Sequence, residues 1–308
     1  MSTVIRNITV FAASGSLGTI LVEALDKAGF VISAITRPTS LATFPENITV
    51  HRVSYDDLEG LTKAFQGQDA IVSTIGTFGA SEQLTAIEAA IAAGVYRFLP
   101  SEYGGNTSLE GVINYPPFAL DKKRVIDRLH EAEDNGLTWT ALCTGIFFSW
   151  VLEQGNGTLG WDIAKREVTI YDSGDQQFDT STIDQLVSAV ISVLHHPDET
   201  ANQYVYVNSF TLTQNLLLST LERLQGVKYD KKVDTTAAIV ARGEYKLSHG
   251  DNAGGYPDIV TGSVYAPWRF SHFEPAVVAR WKETLGLREV EHVETVISEV
   301  LRKNELLL

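Results

Sequence analysis

Short apolar runs alternate with amphipathic helical patterns through the first half of the chain. The runs are apolar throughout rather than at every second position, and they lie at Ile8–Ala12, Val31–Thr36, Ile48–Val53, Ala70–Ile75, Arg97–Pro100 and Thr138–Cys143. Helical patterns separate them at Gly18–Ala28, Leu58–Phe65, Ser81–Ala93 and Lys122–Asn135. Strands that are apolar on both faces and alternate with helices are typical of a parallel sheet covered on both sides. The pattern therefore predicts an α/β fold with a doubly wound parallel sheet.

The alternation changes after Gly145. A glycine-rich stretch at Gly155–Asp162 indicates a linker. Strands are predicted at Val168–Tyr171 and Tyr204–Asn208, with a helix at Ile183–Leu194 between them.

The remainder of the chain, from residue 211 onward, is mostly helical in pattern, and GDNAGGYP (Gly250–Pro257) indicates a loop. We therefore predict a first domain of residues 1–150 with a return segment around residues 176–208. We predict that residues 151–175 and 209–308 form a smaller, mostly helical C-terminal domain that binds the substrate.

A turn of small residues follows the first predicted strand. Ala12, Gly15 and Gly18 have the A-x-x-G-x-x-G spacing of a dinucleotide-binding turn. Such a turn places the N–H groups and dipole of a helix start against a pyrophosphate. Because only a positive φ requires glycine, alanine is tolerable at position 12 if its φ stays negative. The predicted pyrophosphate contacts are Ala12, Ser14, Gly15, Ser16, Leu17 and Gly18; the alternative is a strand–helix turn that binds nothing.

Arg37 follows the second predicted strand, where the adenosine ribose of a dinucleotide would lie. A guanidinium offers a planar fork to a 2′-phosphate. No Asp or Glu occurs between Val31 and Pro45 to accept the 2′-hydroxyl of NAD. The presence of Arg37 and the absence of an acidic residue therefore predict NADP(H) as the cofactor, with Ser40 assisting. The alternative is that Arg37 is a solvated surface residue.

Composition and charge narrow the function classes. The chain has 308 residues and a net charge of −14, which opposes attraction to nucleic acid or anionic membranes. We see no signal-peptide pattern and no apolar span of about 20 residues. The single cysteine, Cys143, excludes an internal disulfide, and the adjacent His195 and His196 make a poor metal pair. We expect a cytoplasmic monomer or homodimer with a small-molecule substrate and no metal, nucleic-acid or membrane partner.

Several stretches together resemble the NmrA-like and isoflavone reductase-like branch of the atypical short-chain dehydrogenases, in its fungal type. The resemblance covers nearly the whole chain and is most specific in YRFLPSEYGGN (Tyr96–Asn106). The other matching stretches are FAASGSLG, AITRPTS, DAIVSTIG, GLTWTALCTGIFFSW and the segment Tyr171–Gln203. The resemblance implies a Rossmann-type fold that binds NADP(H).

The resemblance also implies roles for individual residues. Thr74, Ile75 and Gly76 would line the ribose and pyrophosphate of the cofactor, and Asp56 would lie near its adenine. Pro100, Ser101 and Glu102 would form a loop beside the nicotinamide, which we call the Pro-Ser-Glu loop (Pro100–Asn106).

The chain lacks the Tyr-x-x-x-Lys pair of many short-chain dehydrogenases. The resemblance implies instead a lysine at the start of the helix after the Pro-Ser-Glu loop. This lysine would line the nicotinamide and act as acid or base. Lys122 is favoured, with Lys123 as the alternate, because Val125 and Leu129 at +3 and +7 from Lys122 would face the sheet. Ordinary surface lysines are the alternative reading.

Aromatic residues near the expected cleft suit a flat substrate, although core packing explains them equally well. The candidates are Tyr103, Phe147, Phe148 and Trp150, with Trp268 and His272 from the aromatic segment Tyr265–Pro275. We predict an NADPH-dependent reductase of a small aromatic or conjugated secondary metabolite, with lysine-assisted protonation. The alternatives are a non-catalytic NADP(H) redox sensor of the NmrA type and a cofactor-assisted isomerase or cyclase.

Overall fold

A central parallel sheet is built mainly from the first half of the chain. The computed structural model describes residues 4–109, 117–153, 157–267, 270–290 and 292–306. The elements of this half are β1 (Asn7–Phe11), α1 (Ser16–Lys27), β2 (Val31–Thr36), β3 (Thr49–Arg52), α2 (Leu58–Phe65), β4 (Ala70–Ser73), α3 (Gln83–Ala93), β5 (Arg97–Leu99), α4 (Pro117–Ala132) and β6 (Thr138–Cys143). A 3₁₀ helix at Thr77–Glu82 leads directly into α3.

The second half adds two small sheets, one further strand of the central sheet and most of the remaining helices. Its elements are β7 (Ile146–Phe147), α5 (Phe148–Glu153), β8 (Trp161–Asp162), β9 (Glu167–Tyr171), β10 (Phe178–Ser181), α6 (Ile183–His195), β11 (Gln203–Tyr206), β12 (Phe210–Leu212), α7 (Gln214–Gln225), β13 (Asp230–Asp234), α8 (Thr236–Ser248), α9 (Asn252–Tyr265), α10 (Pro275–Thr284) and α11 (Val293–Lys303).

The central sheet has seven strands in the order β11-β6-β5-β4-β1-β2-β3. All of its pairings are parallel. Leucines and valines of α1 and α6 cover one face, and apolar residues of α2, α3 and α4 cover the other. Burial on both faces explains why the strands are apolar throughout. The predicted doubly wound α/β fold is confirmed.

The small sheets, in the orders β12-β10-β7 and β13-β9-β8, enclose a separate core with α5, α7, α9 and α11. The division into two domains stays a prediction. Within the predicted return segment, β11 pairs with β6. From the far side of the predicted boundary, Trp281 of α10 and Leu285 pack in the same core as α1.

Two loop predictions are wrong. The predicted loop Gly250–Pro257 falls largely within α9, because the Asp251 carboxylate caps the helix by accepting a hydrogen bond from the Gly254 N–H (2.9 Å). The predicted linker Gly155–Asp162 contains a 3₁₀ helix at Thr158–Gly160 and strand β8. Trp161 is fully buried, which holds this stretch in the second core.

Candidate functional site

The turn after β1 adopts a backbone conformation that the sequence analysis did not expect. Ala12 has a φ of 64°, so the negative φ that would make alanine easy to accommodate here is not adopted. The Ala12 carbonyl accepts a hydrogen bond from the Gly15 N–H (3.1 Å), which closes the turn. The Ala13 N–H donates to the Ile35 carbonyl (2.9 Å), which joins the turn to β2.

The start of α1 has the features of an anion site. A Cβ atom on Gly18 would lie 2.7 Å from the Ala13 carbonyl oxygen, so only glycine allows helix and strand to approach this closely. Gly15 provides no side-chain cap, and residues 14–16 are exposed. The N–H groups of the first turn, around Ser16 and Leu17, therefore remain available to an anion. This geometry fits a pyrophosphate.

The predicted residues after β4 have different environments. Thr74 is buried, and its hydroxyl donates to the Phe11 carbonyl (2.9 Å), so this side chain holds β4 against the turn. Ile75 is buried, and its carbonyl accepts a hydrogen bond from the Ser101 hydroxyl (2.8 Å). Gly76 is exposed, and a Cβ atom there would contact nothing. The carboxyl ends of β1, β4 and β5 therefore meet at one edge of the sheet, where doubly wound sheets bind ligands.

Arg37 lies at the same edge, in contact with an acidic and an aromatic residue. Its guanidinium carbon is 4.5 Å from the centroid of the buried Tyr55 ring. Its Nη2 atom donates to both carboxylate oxygens of Glu82, at 3.2 and 3.1 Å. The Ser40 hydroxyl accepts a hydrogen bond from the Ala42 N–H (3.3 Å) in the loop after β2. The predicted 2′-phosphate ligand is therefore already paired with a carboxylate.

Other residues at this corner bear on the prediction. Asp56 is exposed, and its carboxylate accepts a hydrogen bond from the Ser54 hydroxyl. The sequence analysis missed Arg52, which is the register partner of Thr36 and so lies beside the start of the Arg37 loop. Its guanidinium donates to the Ala42 carbonyl (3.1 Å). Its place near the end of the predicted strand Ile48–Val53 could have indicated that Arg52 lies at this edge of the sheet.

The Pro-Ser-Glu loop connects β5 to other parts of the site. The Ser101 N–H donates to the side-chain oxygen of Gln83 (2.8 Å). Glu102 is 2% exposed, and its carboxylate accepts a hydrogen bond from the Thr107 hydroxyl (2.6 Å). Burial raises the pKa of the Glu102 carboxyl, an effect that the nearby charge of Lys122 and the Thr107 hydrogen bond partly offset. Pro100 is also buried, so this loop presents mainly its backbone to the site.

The two candidate lysines differ in their contacts. The Lys122 ammonium donates to the backbone carbonyl of Glu102 (3.0 Å), so it lies on the Pro-Ser-Glu loop. Lys123 forms an ion pair with Asp127 on the outer surface of α4. Val125 and Leu129 are fully buried, which gives Lys122 the orientation that the spacing predicts. The geometry thus favours Lys122 over Lys123.

The predicted aromatic pocket residues are dispersed. Phe148 is 1% exposed and packs edge-on against Phe210 (centroids 5.5 Å apart), so it lies in the second core. Phe147 is partly buried against the first core. The hydroxyl of the buried Tyr103 has no hydrogen-bond partner among the residues described, and burial raises its pKa. The side chain of Trp150 and all of Trp268 lie outside the described residues.

His272 lies beside a buried carboxylate that the sequence analysis missed. Its Nδ1 atom is 3.4 Å from Oδ2 of Asp179, which also accepts a hydrogen bond from the Phe273 N–H (2.6 Å). The Asn106 N–H donates to the Phe270 carbonyl (2.7 Å), so the segment that carries His272 is bound to the Pro-Ser-Glu loop. No sequence signal pairs Asp179 with a residue so distant along the chain.

The described residues contain neither a cluster of metal ligands nor a membrane-spanning helix. Within the described ranges, no group of three or more His, Cys, Asp or Glu side chains is placed to hold a metal ion. None of the helices in that same part of the chain has the length and apolar character needed to cross a membrane.

The sequence is similar to a known family and to fungal proteins that are named oxidoreductases. The model of the NmrA-like family matches residues 5–241. Oxidoreductase poxI of Penicillium oxalicum is 34% identical over 264 residues, which cover 84% of this chain and 82% of that protein. Oxidoreductase aprR of Aspergillus flavus is 35% identical over 226 residues, which cover 72% and 75% of the two chains.

Solved structures share the fold. The structure described as AtPrR2 with NADP+ and (+)pinoresinol superimposes with a TM-score of 0.78 at 22% identity, covering 97% of this chain and 100% of that one. The complex of leucoanthocyanidin reductase and NADPH from Vitis vinifera has a TM-score of 0.78 at 17% identity, covering 96% and 99%.

Proposed function

Because the chain belongs to the NmrA-like family, we propose that it is an NADPH-dependent reductase of a small aromatic or conjugated metabolite. Two fungal relatives carry the name oxidoreductase. Two proteins of the same fold were solved with NADP+ or NADPH, one of them also with (+)pinoresinol. The residues at the carboxyl edge of the sheet fit such a cofactor.

Cofactor binding would use three parts of this edge. The N–H groups at the start of α1 would hold the pyrophosphate, since only glycine fits at position 18 and Gly15 leaves the first turn uncapped. Arg37 would bind the 2′-phosphate through its planar guanidinium. The exposed Gly76 would let the cofactor approach the backbone after β4.

Lys122 would supply the proton. When bound, NADPH supplies a hydride to the substrate. Lys122 would hold a proton at Nζ, next to the Glu102 carbonyl, and donate it to the atom that receives the electron pair of the reduced double bond. Water would then return a proton to Nζ. The observation that carries the proposal is the contact of the Lys122 ammonium with the Pro-Ser-Glu loop.

Substitution of each lysine tests the proposal. We expect Lys122→Ala to lower the rate of NADPH oxidation by about 100-fold or more, because a positioned proton donor contributes about that much. NADPH affinity should change little, since the pyrophosphate and 2′-phosphate contacts remain. Oxidation is followed by absorbance with a panel of enones, quinones, imines and phenylpropanoids.

Lys123→Ala is the matched control, because its ammonium is paired with Asp127 on the surface of α4. It should retain turnover. Equal activity of the two variants would exclude Lys122 as the proton donor. Tight NADPH binding without oxidation by any member of the panel would contradict the reductase proposal and favour a sensor.

A further inference from the structure

The ion pair between Arg37 and Glu82 lies in the place assigned to the 2′-phosphate. The side chains of Arg37 and Glu82 are 56% and 38% exposed, so a ligand reaches both of them from solvent. Both charges are also close enough to Tyr55 to act on the pKa of its hydroxyl, which burial raises. One face of the Arg37 guanidinium stacks on the Tyr55 ring, and one edge of it pairs with the Glu82 carboxylate.

The backbone at Glu82 is held in place by its neighbours. It ends the 3₁₀ helix Thr77–Glu82, and the next residue, Gln83, is 1% exposed. The Gln83 amide donates to the Ala80 carbonyl (3.1 Å), and its oxygen accepts a hydrogen bond from the Ser101 N–H (2.8 Å). The buried amide thus ties the end of the 3₁₀ helix to the Pro-Ser-Glu loop. The backbone that carries the Glu82 carboxylate is therefore anchored beside Arg37.

A phosphate at Arg37 meets a cost in either possible arrangement. If it takes the Nη2 edge, it must displace Glu82 and break an ion pair. If it takes another edge of the guanidinium, a group with a charge of about −1.5 to −2 stands within a few ångströms of a carboxylate. Like charges at that distance repel. NADH lacks the phosphate and meets neither cost.

We infer that Glu82 is a specificity-determining residue, which competes with the 2′-phosphate for Arg37 and thereby narrows the preference for NADPH over NADH. The inference rests on the proposed function, since it takes Arg37 to be the 2′-phosphate ligand. Glu82 acts on the phosphate by pairing with Arg37 and by direct charge repulsion, and the ribose and nicotinamide contacts do not depend on it.

Binding affinities of the purified protein for NADPH and NADH test this inference. Glu82→Gln keeps the size of the side chain and removes its charge. We expect NADPH affinity to rise about three- to tenfold, the scale of one partly exposed ion pair plus the relief of repulsion. NADH affinity should stay within about twofold, and the gain for NADPH should shrink at high ionic strength.

Glu88→Gln is the matched control, because Glu88 forms a similar ion pair with Arg128 away from the site (2.6 Å). It should change neither affinity. If Glu82→Gln behaves like this control, or raises the affinities for NADPH and NADH equally, the inference is wrong.

Arg37→Ala separates failure of the inference from failure of the proposed function. A loss of about tenfold or more in NADPH affinity, with NADH unaffected, supports the assignment of Arg37. No loss would remove that assignment, and the inference with it. In the Arg37→Ala background, the gain from Glu82→Gln should shrink, because only direct repulsion of the phosphate remains. A gain of undiminished size there would show that Glu82 does not compete for Arg37.

Discussion

Ala12 stands at a position where glycine would be easier to accommodate. Its φ of 64° costs an L-residue about 1–2 kcal/mol relative to the right-handed region. Hydrogen bonds on both sides hold it there, from Gly15 to its carbonyl and from Ala13 to β2. The strain is therefore stored at the point where the chain turns toward the expected pyrophosphate.

We predict that Ala12→Gly stabilises the protein. Relief of the positive φ gains about 1–2 kcal/mol, and the extra freedom of glycine in the unfolded chain costs about 0.4–1 kcal/mol. The free energy of unfolding, measured by urea denaturation, should rise by about 0.5–1 kcal/mol. Ala13→Gly is the control, since Ala13 is fully buried and loses a packed methyl group. It should be destabilising, and a loss of stability in Ala12→Gly as well would contradict the prediction.

The residues of the site differ in how far the sequence could predict them. The spacing of Gly15 and Gly18, and the burial of Val125 behind Lys122, are local patterns that survive into the structure. Glu82 lies 45 residues from Arg37 along the chain. Their contact depends on how the 3₁₀ helix after β4 packs beside β2, and no local pattern encodes that packing.

Among the elements, the helical hairpin of α8 and α9 shows how a loop-like sequence can form a helix. Gly243 and Gly255 serve close packing rather than turning: a Cβ atom on Gly243 would lie 2.8 Å from the Gly255 carbonyl oxygen. The two helix backbones therefore nearly touch at Gly243 and Gly255. The strands of the central sheet were predictable from their apolar runs, whereas α9 was not, because glycine and Pro257 are typical of loops in the absence of a partner helix.

We predict that Gly243→Ala destabilises this hairpin, although alanine is the better helix former. The new methyl group would also lie 2.6 Å from a side-chain carbon of Ile259, and overpacking of this kind costs about 1–3 kcal/mol. Thermal and urea unfolding should both report the loss. Glu244→Ala, at an exposed position on the same helix, should stay within about 0.5 kcal/mol of the natural protein. Unchanged stability of Gly243→Ala would mean that the helices can separate at little cost.

On the scale of the whole molecule, the Pro-Ser-Glu loop joins parts that are distant in sequence. It contacts α4 through Lys122 and the C-terminal half through Phe270. The Gly104 carbonyl accepts hydrogen bonds from the N–H groups of Thr144 and Gly145, just after β6. The buried carboxyl of Glu102 lies at this junction, so its protonation affects the stability of the whole fold.

We predict that Glu102 makes the protein less stable as pH rises through the weakly acid range. Its folded pKa is raised above the usual 4.5, so near and above that value the folded state holds the proton more tightly than the unfolded state. This contribution is fully present below pH 4.5 and is lost as pH rises through the folded pKa. Urea denaturation across this range should show Glu102→Gln gaining stability relative to the natural protein as pH increases. Glu283→Gln, at an exposed position of α10, should show no such trend, and parallel curves for Glu102→Gln would refute the role of Glu102.

The position of β11 at the edge of the sheet has a consequence for synthesis on the ribosome. A nascent chain that has emerged only as far as β6 exposes one side of that strand, because its partner, residues 203–206, has yet to be translated. The core beneath α1 is completed later still, because it includes Trp281 and Leu285, which must first leave the exit tunnel. The half with β1 to β6 is encoded first but completed late, so the β6 edge is exposed to wrong pairing while the rest of the chain is being made.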